Sequence, residues 1–588
     1  MKPTAFLISI FSVLAICSNI SRAVTFSDVT SYSNLDNYPL ARCSAWIDYD
    51  RDGHLDLIVG SEYGNNRLHR NNGDGTFANV TEEAGVPHRS GIWGVNFADI
   101  NNDGFQEIYL SARAPDTFSA GRNILLLNNS GTCFTDISEI SGANAPGGGV
   151  AACFAPFDKN AYIDLFVPNQ YYPDMEYPYL LINMMDNTFE DQTTQYGLYI
   201  LDWWDVPVVF DYDNNRVLDL FCTKDYHGNS LYKRTWGSHF EDWTDSLNIQ
   251  TACGYGATIG DVNNDGWLDL YLTNWHNLTD NLFIYDTSGS YINMTLEWNV
   301  PGNIWTSAPH FADFDNDGWL DLVVMAAGSG NRYYRNVNGA GFEDNTLESG
   351  LTNSSYNWGA SIGDYNNDGF LDIFVPEYIH SPNGGRLYRN NGNENNWVQI
   401  ELIGTNCNRD GIGARLWLNS QSTRQTRQVM GGSGFGSQNS LIQHFGLAQD
   451  TVINFLEIWW PDGTTEIYEA ISINQLITIV QGGTLYINQD RRIVAPESFQ
   501  LRKAYPNPFN YAIEFEIEVL RTTFISVEIN DILGRKARCI FEGSLDPGTF
   551  RCFWDGSDSK GINVTSGIYF VRISNGIDVD IEKVTLVK

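Results

Sequence analysis

Short apolar runs alternate with acidic, glycine-containing turns through the first two thirds of this 588-residue chain. The runs at residues 57–60, 270–273 and 373–376 are rich in β-branched and aromatic side chains, which is typical of buried strands. Each run follows directly on an acidic turn. The pattern therefore predicts strand–turn–strand units and an all-β fold.

The acidic turns repeat a nine-residue form, carboxylate-x-carboxylate-x-carboxylate-Gly-x-x-carboxylate, in which Asn replaces some carboxylates. Seven turns begin at residues 48, 99, 156, 211, 261, 313 and 364. Their spacing of 50 to 57 residues, with several strands in each repeat, is typical of propeller blades. We therefore predict a seven-bladed β-propeller over residues 24–394.

A second motif lies about 30 residues after each of the first six turns. It consists of an aromatic residue, then Asp or Asn two positions later and Thr or Ser four positions later, as in residues 342–346. The copy that should follow the seventh turn appears instead at residues 26–30. We predict that the N-terminal strand completes the last blade and removes the free sheet edges that invite aggregation.

Oxygen ligands at alternate positions of a tight turn suit calcium, a hard cation. Gly at position 6 permits the sharp bend, and without a cation the crowded carboxylates repel one another. An EF-hand begins in the same way but needs Glu at position 12 and flanking helices. Here position 12 lies inside a predicted strand, as at Val59 and Leu272, which excludes EF-hands and dockerin-like pairs. A solvated acidic turn without metal is the alternative.

Six of the seven turns keep the oxygen ligands of a predicted calcium site. The third has Pro156 and Ala161 in place of the first ligand and the Gly, so we expect it to be empty. In the fourth, Arg216 replaces the Gly, which leaves its occupancy open. The predicted metal ligands are Asp48, Asp50, Asp52, Asp56, Asp99, Asn101, Asp103, Glu107, Asp211, Asp213, Asn215, Asp219, Asp261, Asn263, Asp265, Asp269, Asp313, Asp315, Asp317, Asp321, Asp364, Asn366, Asp368 and Asp372.

The chain is strongly acidic, with 71 Asp and Glu against 35 Lys and Arg and a net charge of -36. The seven turns hold 22 of these carboxylates, so much of the acidity belongs to the predicted metal sites. No basic cluster is large enough to neutralise phosphates, which argues against nucleic acid and against an anionic membrane surface.

Residues 1–23 have the features of a secretory signal peptide: Lys2, an apolar stretch at residues 5–17, and small residues before a cleavage site after Ala23. A lipoprotein signal ending at Cys17 is the alternative, but Ile16 stands where a small residue is required. No other stretch approaches the roughly 20 apolar residues of a membrane span, so no transmembrane segment is predicted.

Eight cysteines follow the predicted signal peptide. In an exported chain an even number permits disulfides, and buried free thiols are the alternative. Cys539 and Cys552 flank a predicted turn at residues 546–548 and are the first pair to test. No CxxC or His/Cys cluster indicates zinc.

Turns of this form in repeats of about 50 residues resemble the FG-GAP or VCBS repeats of integrin-alpha-like propellers. The resemblance implies structural calcium bound within the blades. Turns one, two, five, six and seven match the family pattern well, whereas the third and fourth depart from it at the positions given above.

In residues 395–482 the repeat of about 50 residues ends, and alternating apolar and polar positions predict the strands of a compact β domain. Its motifs NRDGIGAR at 408–415, GGSGFGSQN at 431–439, HFGL at 444–447 and WPDG at 460–463 resemble the ASPIC/UnbV domain of cartilage-acidic-protein-like chains. That resemblance implies an architecture and no established reaction. Neither GxSxG nor GxGxxG fits the Gly-rich motif, and His444, which has no nucleophile at readable spacing, is interpreted as structural. Ligand binding through backbone N–H groups of the Gly-rich motif stays open.

A linker at residues 483–498 precedes a C-terminal β-sandwich, predicted over residues 499–588. The segments YPNPFN at 505–510, NDILGR at 530–535 and SGIYF at 566–570 resemble the sorting domain of type IX secretion cargo, or the related FlgD-like immunoglobulin fold. The resemblance implies a bacterial protein that reaches the outer cell surface and attaches there through this domain. A plain Ig-like module is the alternative.

We interpret the chain as a secreted or cell-surface, calcium-binding propeller that binds an extracellular protein or glycan, with no catalysis. The aromatic pairs at residues 203–204 and 459–460 are interpreted as core, with sugar-stacking platforms as the alternative. A structural component of the extracellular matrix is a further alternative.

The competing class is a secreted polysaccharide-active enzyme, a lyase or hydrolase built on the propeller. Such an enzyme needs paired carboxylates about 5 to 9 Å apart. The acids that follow predicted strands, and so are candidates for one end of the ring, are Glu62, Asp116, Asp174, Asp225 and Glu377.

Overall fold

The computed structural model describes residues 24–35, 40–113, 121–169, 177–225, 227–235, 239–251, 253–275, 278–302, 305–328, 330–352, 355–378, 384–487, 499–519, 523–531, 535–574 and 579–588. Strands dominate this part of the chain. The only helices in it are two single turns, α1 (Ser138–Ser141) and α2 (Thr346–Ser349). The all-β prediction is confirmed, and the predicted signal peptide lies outside the described residues.

The repeat region contains thirty described strands. The first fifteen are β1 (Phe26–Asp28), β2 (Ala41–Ile47), β3 (Asp56–Ser61), β4 (Arg67–Asn71), β5 (Phe77–Asn79), β6 (Ile92–Ala98), β7 (Glu107–Ala112), β8 (Gly121–Arg122), β9 (Ile124–Asn128), β10 (Phe134–Asp136), β11 (Pro146–Gly147), β12 (Cys153–Ala155), β13 (Asp164–Val167), β14 (Tyr179–Asn183) and β15 (Phe189–Asp191). The others are β16 (Trp204–Phe210), β17 (Asp219–Lys224), β18 (Ser230–Arg234), β19 (Phe240–Asp242), β20 (Ala257–Gly260), β21 (Asp269–Leu272), β22 (Asn281–Asp286), β23 (Ser290–Asn293), β24 (Thr306–Ala312), β25 (Asp321–Ala326), β26 (Arg332–Asn336), β27 (Phe342–Asp344), β28 (Ser361–Gly363), β29 (Asp372–Pro376) and β30 (Gly385–Asn390).

These strands form seven four-stranded antiparallel sheets and one two-stranded ribbon, β8 with β11. Numbered by their acidic turns, sheets 1 to 6 are β2-β3-β4-β5, β6-β7-β9-β10, β12-β13-β14-β15, β16-β17-β18-β19, β20-β21-β22-β23 and β24-β25-β26-β27, and sheet 7 is β28-β29-β30-β1. In every sheet the acidic turn joins the first strand to the second. All seven turns therefore share one end of the fold.

The N-terminal strand closes the last sheet. β1 pairs with β30, with Phe26 opposite Asn390, which is the pairing that the displaced motif predicts. Strand β2 of sheet 1 also contacts β28 and β29 of sheet 7. The sheets therefore return to their starting point in a propeller-like ring.

An Asn at the end of the third strand links neighbouring sheets. Asn128 donates from its side-chain amide to the carbonyl of Tyr49 in the preceding turn, at 2.9 Å, and to Gln106 of its own sheet, at 3.1 Å. Asn71, Asn183, Asn336 and Asn390 make the equivalent pairs of hydrogen bonds. The recurring Asn in the sequence therefore marks a contact between sheets.

The second domain has two packed four-stranded sheets, β34-β31-β37-β38 and β33-β32-β35-β36. Its strands are β31 (Asn396–Ile403), β32 (Arg415–Ser420), β33 (Arg424–Gln428), β34 (Gln443–Ala448), β35 (Ile453–Trp459), β36 (Thr465–Tyr468), β37 (Leu476–Val480) and β38 (Thr484–Ile487). Because β38 pairs with β37, the domain continues to Ile487. The described sheet thus extends five residues beyond the predicted boundary at residue 482.

The C-terminal domain packs a three-stranded sheet, β39-β40-β43, on a four-stranded sheet, β42-β41-β44-β45, around the buried Trp554. Its strands are β39 (Phe499–Tyr505), β40 (Ile513–Val519), β41 (Thr523–Asp531), β42 (Lys536–Leu545), β43 (Gly548–Trp554), β44 (Gly567–Ser574) and β45 (Val579–Leu586). This is the predicted sandwich.

All eight described cysteines are free thiols. Cys539 on β42 and Cys552 on β43 are both free, so the structure does not have the disulfide suggested for this pair. Across the described ranges, no helix has the length and hydropathy of a membrane span.

Candidate metal centres and the two ends of the ring

In each well-matched turn, the side chain of the first carboxylate accepts hydrogen bonds from backbone N–H groups of the same turn. Asp99 accepts hydrogen bonds from the backbone N–H groups of Asp103 and Gly104, at 3.0 and 2.6 Å. The Gly at position 6 has φ between 85° and 95° in the five turns that carry one, a conformation that side chains with a Cβ rarely adopt. In the fourth turn Arg216 takes φ 67° at this position, so the turn keeps its shape without Gly.

The last carboxylate of each turn is a structural link as well as a candidate ligand. Asp56 accepts hydrogen bonds from the N–H of Tyr49 within the turn, at 3.2 Å, and of Asn71 on the third strand, at 2.8 Å. Glu107 has the same two roles. The side chain at position 9 thereby fixes the turn to the sheet behind it.

Neighbouring turns are also hydrogen-bonded to each other. An Asn at position 4, with φ between 53° and 58°, donates its side-chain amide to the position-6 carbonyl of the next turn. The pairs are Asn102–Ala161, Asn214–Gly266, Asn264–Gly318, Asn316–Gly369 and Asn367–Gly53. The last pair joins the seventh turn to the first and so closes the circle.

Three turns bring three carboxylates close enough to hold a metal ion. The candidate ligand oxygens in each group lie within 4.8 Å of one another. The groups are Asp48, Asp50 and Asp56 in the first turn, Asp211, Asp213 and Asp219 in the fourth, and Asp313, Asp315 and Asp317 in the sixth.

The fourth turn, whose occupancy the sequence left open, has buried oxygens without partners. Asp213 Oδ1 and Asp219 Oδ2 are shielded from solvent and accept no hydrogen bond. Burial raises the pKa of Asp211 to about 6 and that of Asp219 well above its usual range, and the charge of Asp213 raises both further. A divalent cation would give these oxygens a partner and relieve the repulsion, so the donor set fits calcium.

Basic side chains sit beside two of the clusters. Lys233 lies 2.7 Å from Asp213 in the fourth turn. In the sixth, Arg335 contacts Asp315 and Asp317 at 2.7 and 2.8 Å. Even with that arginine present, burial and the charges of neighbouring aspartates raise the pKa of Asp317 to about 9. One cation per cluster therefore does not offset the accumulated negative charge.

The remaining turns do not bring three carboxylates together in this way. In the fifth and seventh, the Asn at position 3 donates to the Asp at position 5, at 2.8 Å in both Asn263–Asp265 and Asn366–Asp368. In the third, Asn160 donates to Asp158 at 2.7 Å. The second, third, fifth and seventh turns are not among the three-carboxylate groups found in the described residues.

The second domain covers the end of the ring that carries the turns, and its signature motifs make the contacts. Asp410 accepts a hydrogen bond from the N–H of Asp99 at 2.6 Å, and Arg409 lies 3.9 Å from the Asp99 carboxylate. Gln399 donates to Asp364 at 3.0 Å. The residues that identify this domain therefore serve, at least in part, to dock it on the acidic turns.

Three arginines are buried in this contact. Burial lowers the pKa of Arg409, Arg415 and Arg427 to about 10, while the first-position aspartates of the neighbouring turns act in the opposite direction. His444 Nε2 lies 2.6 Å from Asn316 Oδ1 in the sixth turn, and burial lowers the pKa of His444 to about 3. The histidine thus has a structural contact, in agreement with its interpretation from the sequence.

The Gly-rich motif of the second domain enters the middle of the ring. We call residues 431–439 the plug segment. Its backbone or side chains bond to the first strands of sheets 1, 2, 3, 5 and 7, through Trp46, Val95, Phe154, Ala257 and Ile362. These bonds include a reciprocal pair between Ala257 and Gly434, at 3.2 and 3.0 Å. The motif thus makes close backbone contacts with the ring.

Glycine is required where the plug segment passes closest to the sheets. A Cβ on Gly436, which has φ 59°, would lie 2.3 Å from the carbonyl oxygen of Trp93. A Cβ on Gly431 would lie 2.2 Å from that of Phe154. Both contacts are to backbone, which cannot rotate away.

The middle of the plug segment, at Phe435, contacts an aromatic cluster at the opposite end of the ring. Phe435 stacks on Tyr255 with ring centroids 4.4 Å apart, and Tyr255 stacks on Trp275 at 5.1 Å. Trp275 in turn stacks on Trp305 and Trp358, at 5.5 and 5.1 Å. These rings come from segments far apart in the sequence, so no local pattern indicated the cluster.

Two arginines join the aromatic cluster. The guanidinium of Arg42 lies 3.3 Å from the centre of the Trp93 ring and 4.5 Å from that of Trp358, and it pairs with Glu62 at 2.7 Å. Arg113 lies 4.7 Å from the same Trp93 ring. Sequence analysis missed both residues because neither belongs to a motif or to a cluster of charges along the chain.

The acids predicted for one end of the ring do not form a free catalytic pair. Glu62 forms an ion pair with Arg42, and Glu377 forms one with Arg386 at 2.8 Å. Asp225 accepts a hydrogen bond from the thiol of Cys253 at 3.5 Å. Asp116 and Asp174 lie outside the described residues. Of the aromatic pairs, Trp204 and Trp460 are buried in the core, as interpreted.

The fold and the turns define a propeller-like protein with acidic, metal-binding-type turns, capped by a β domain and followed by an Ig-like domain. The family models agree with each part. Residues 48–110, 211–272, 261–324 and 313–375 match the FG-GAP-like repeat, residues 404–485 match ASPIC and UnbV, and residues 503–587 match the secretion system C-terminal sorting domain. The chain therefore carries FG-GAP repeats, an ASPIC/UnbV domain and a type IX sorting domain, which directs it to secretion or the cell surface.

Similar proteins share the name cartilage acidic protein 1. The mouse protein (Mus musculus) is 24% identical over 465 residues, covering 71% of this chain and 70% of its own length. The frog protein (Xenopus tropicalis) is 25% identical over 312 residues, covering 50% of this chain and 46% of its own length. The match thus spans less than half of the frog protein.

Solved structures resemble the chain only weakly. PorZ, a bacterial surface component of the type-IX secretion system of Porphyromonas gingivalis, is 10% identical with a TM-score of 0.21, over 93% of this chain and 81% of PorZ. YCF48 bound to D1 peptide is 10% identical with a TM-score of 0.36, over 60% of this chain and 91% of YCF48. Likeness at this level carries no argument about function.

Proposed function

We propose that this chain is a calcium-stabilised protein of the bacterial cell surface that binds an extracellular protein or glycan and performs no catalysis. The observation that carries the calcium part is the pair of buried oxygens without partners, on Asp213 and Asp219, in a cluster of three carboxylates. Buried polar atoms normally have partners, and calcium is the partner that this oxygen set suits.

The arrangement of the domains supports a binding role. The ASPIC/UnbV domain contacts the first-position carboxylates of Asp99 and Asp364, so part of the acidic end is occupied by this domain. The opposite end of the ring keeps partly exposed aromatic side chains, with Trp305 37% and Tyr63 50% exposed. Large aromatic side chains near a surface favour recognition.

Thermal unfolding of the secreted chain in calcium and in EGTA, with metal counting by mass spectrometry, tests the calcium part. We expect five or six bound ions, each adding on the order of 2.7 kcal/mol at a hundredfold excess of calcium over Kd. Magnesium serves as the control, because it prefers six ligands in strict octahedral geometry. Equal melting temperatures in calcium and EGTA, with no bound metal, would refute the proposal.

One observation favours the enzyme alternative. Asp205, at the start of sheet 4, is fully buried, and burial with the charge of Asp225 raises its pKa well above the usual range. Two neighbouring carboxyl groups, one with a raised pKa, are an arrangement that glycoside hydrolases use. Release of new reducing or unsaturated sugar ends from polysaccharides, lost in Asp205→Asn, would favour this alternative.

A further inference from the structure

We propose that the aromatic end of the ring, built around Trp93, Trp275, Trp305, Trp358 and the plug residue Phe435, is a binding site for a saccharide. This inference rests on the proposed binding function and names the class of partner and the place where it binds. Three independent features of the site carry it: ring faces, partnerless polar atoms and a fixed floor.

The ring faces form a continuous apolar surface. Trp275 lies between Trp305 and Trp358, with interplanar angles of 24° and 30°, so the three indoles are nearly parallel. All three remain partly exposed, unlike Trp46 and Trp204, which are fully buried in the sheets. Flat, partly exposed rings offer the surface on which the C–H face of a sugar packs.

Polar atoms around these rings lack partners. The indole N–H groups of Trp93 and Trp358 and the Nε–H of Arg42 are buried donors without an acceptor. Both carboxylate oxygens of the buried Asp205 lack a hydrogen bond of normal geometry. Arg42 and Asp205 are 2% and 0% exposed, so neither is simply solvated. Buried polar groups of this kind call for an unseen partner.

The mixture of donors and acceptors selects the class of ligand. A simple anion would satisfy the three N–H donors and leave Asp205 without a partner, and a simple cation would do the reverse. The aromatic cage that would suit an organic cation is already filled by Arg42, which lies over Trp93 and Trp358. A saccharide hydroxyl both donates and accepts, and its ring supplies the apolar face.

The floor of the site is rigid before any ligand arrives. Phe435 is fully buried and stacks on Tyr255, and Gly434 and Gly436 on either side of it are hydrogen-bonded to the first strands of sheets 5 and 2. A preformed site loses less conformational entropy on binding. The ASPIC/UnbV domain thus completes, from the far side of the ring, a site that the sheets alone would leave open.

Binding of the full secreted chain to a glycan array that contains neutral, N-acetylated and acidic oligosaccharides tests the proposal. Calorimetry with the strongest-binding oligosaccharide then compares variants. We expect Trp275→Ala to weaken binding at least tenfold and Trp275→Phe, which keeps a flat ring, to retain most of it. Trp298→Ala, a partly buried Trp that packs on Phe342, is the matched control and should bind as the unmodified chain does.

The melting temperature in calcium and in EGTA is measured for every variant. If Trp275→Ala does not fold, Trp305→Ala replaces it, because Trp305 is more exposed. No binding to any oligosaccharide class, or undiminished binding by a folded Trp275→Ala chain, overturns the saccharide site. Loss of the calcium shift with saccharide binding intact would instead overturn calcium stabilisation alone, so the two proposals fail separately.

Discussion

At one end of the ring, acidic turns contact a second domain, whereas at the other end indole rings remain partly exposed around the buried Arg42. The turn end concentrates like charge, which is stable only with nearby cations, and the structure supplies some of them as Lys233, Arg335 and the buried arginines of the ASPIC/UnbV domain. The aromatic end holds charges of both signs, such as the pair Arg42–Glu62, and ring surface that is not fully buried. Stability and recognition are thus placed at opposite ends of the same strands.

The plug segment is the physical connection between the two ends. Both of its ends lead into the domain that contacts the turns, and Phe435 in its middle lies among the aromatic rings. A disturbance at the turns therefore reaches the aromatic end only through this segment or through the strands themselves. Changes made at one end, at the other end or in the plug segment test whether the two ends affect each other's stability and binding.

The largest effect is expected from pH and calcium together, because several turns respond at once. Burial raises the pKa of Asp211 to about 6 and of Asp261 and Asp364 to about 7 in the folded chain. Folding therefore favours their protonated forms, and without metal this contribution to stability is lost as pH rises through about 6 to 7. In EGTA the melting temperature should fall between pH 5 and pH 8.

Calcium should reverse that trend, because protons compete with it for the same oxygens. At pH 8 the gain from calcium should approach the sum over occupied sites, on the order of 2.7 kcal/mol each at a hundredfold excess. At pH 5 it should be much smaller. A calcium gain that does not change with pH would contradict carboxylate ligation.

The next effect is expected in the plug segment. Gly436→Val places a Cβ against the carbonyl of Trp93 and forces a β-branched residue to φ 59°. We expect a loss of about 3 kcal/mol or more, from overpacking and from the left-handed backbone together. Chemical unfolding measures the loss, and limited proteolysis reports release of the ASPIC/UnbV domain.

Gly463→Val is the matched control for that variant. Gly463 has φ 89° with nothing within 4 Å of an added Cβ, so it isolates the backbone cost of about 1 to 2 kcal/mol. Equal losses in the two variants would mean that the plug segment does not fit tightly in the ring.

A smaller effect is expected at a single turn. Asp213→Asn removes one of the three converging carboxylates of the fourth turn and should lower stability in calcium by up to about 2.7 kcal/mol, the value of one site. In EGTA the stability of this variant should differ little from that of the unmodified chain, because the lost repulsion between carboxylates offsets the lost ion pair with Lys233. Saccharide binding at the other end should be unaffected.

Glu241→Gln is the control, an exposed acid on the outer strand of the same sheet. This variant loses the same charge without a change in the turn. Calcium should therefore raise its melting temperature by as much as it raises that of the unmodified chain. A calcium-dependent loss in Glu241→Gln as large as in Asp213→Asn would indicate a general charge effect.

The sequence by itself determined the strand–turn–strand units, the placement of β1 in the last sheet, the three domains and the candidate metal ligands. These features have local or periodic causes: the tight turn sets the placement of the side chains at positions 1, 3, 5 and 9, and Gly at position 6 permits its shape. Even the fourth turn follows this rule, since Arg216 adopts the left-handed conformation in place of Gly.

Only the tertiary structure decided which residues the turns and the sequence motifs contact. Trp93, Trp275, Trp358 and Phe435 meet because the ring brings the same end of different sheets together, and no periodic pattern marks them. The sequence identified the Gly-rich motif but left its role open, because its partner, the middle of the ring, depends on how two domains pack. Contacts between residues hundreds of positions apart are set by packing, which local sequence does not encode.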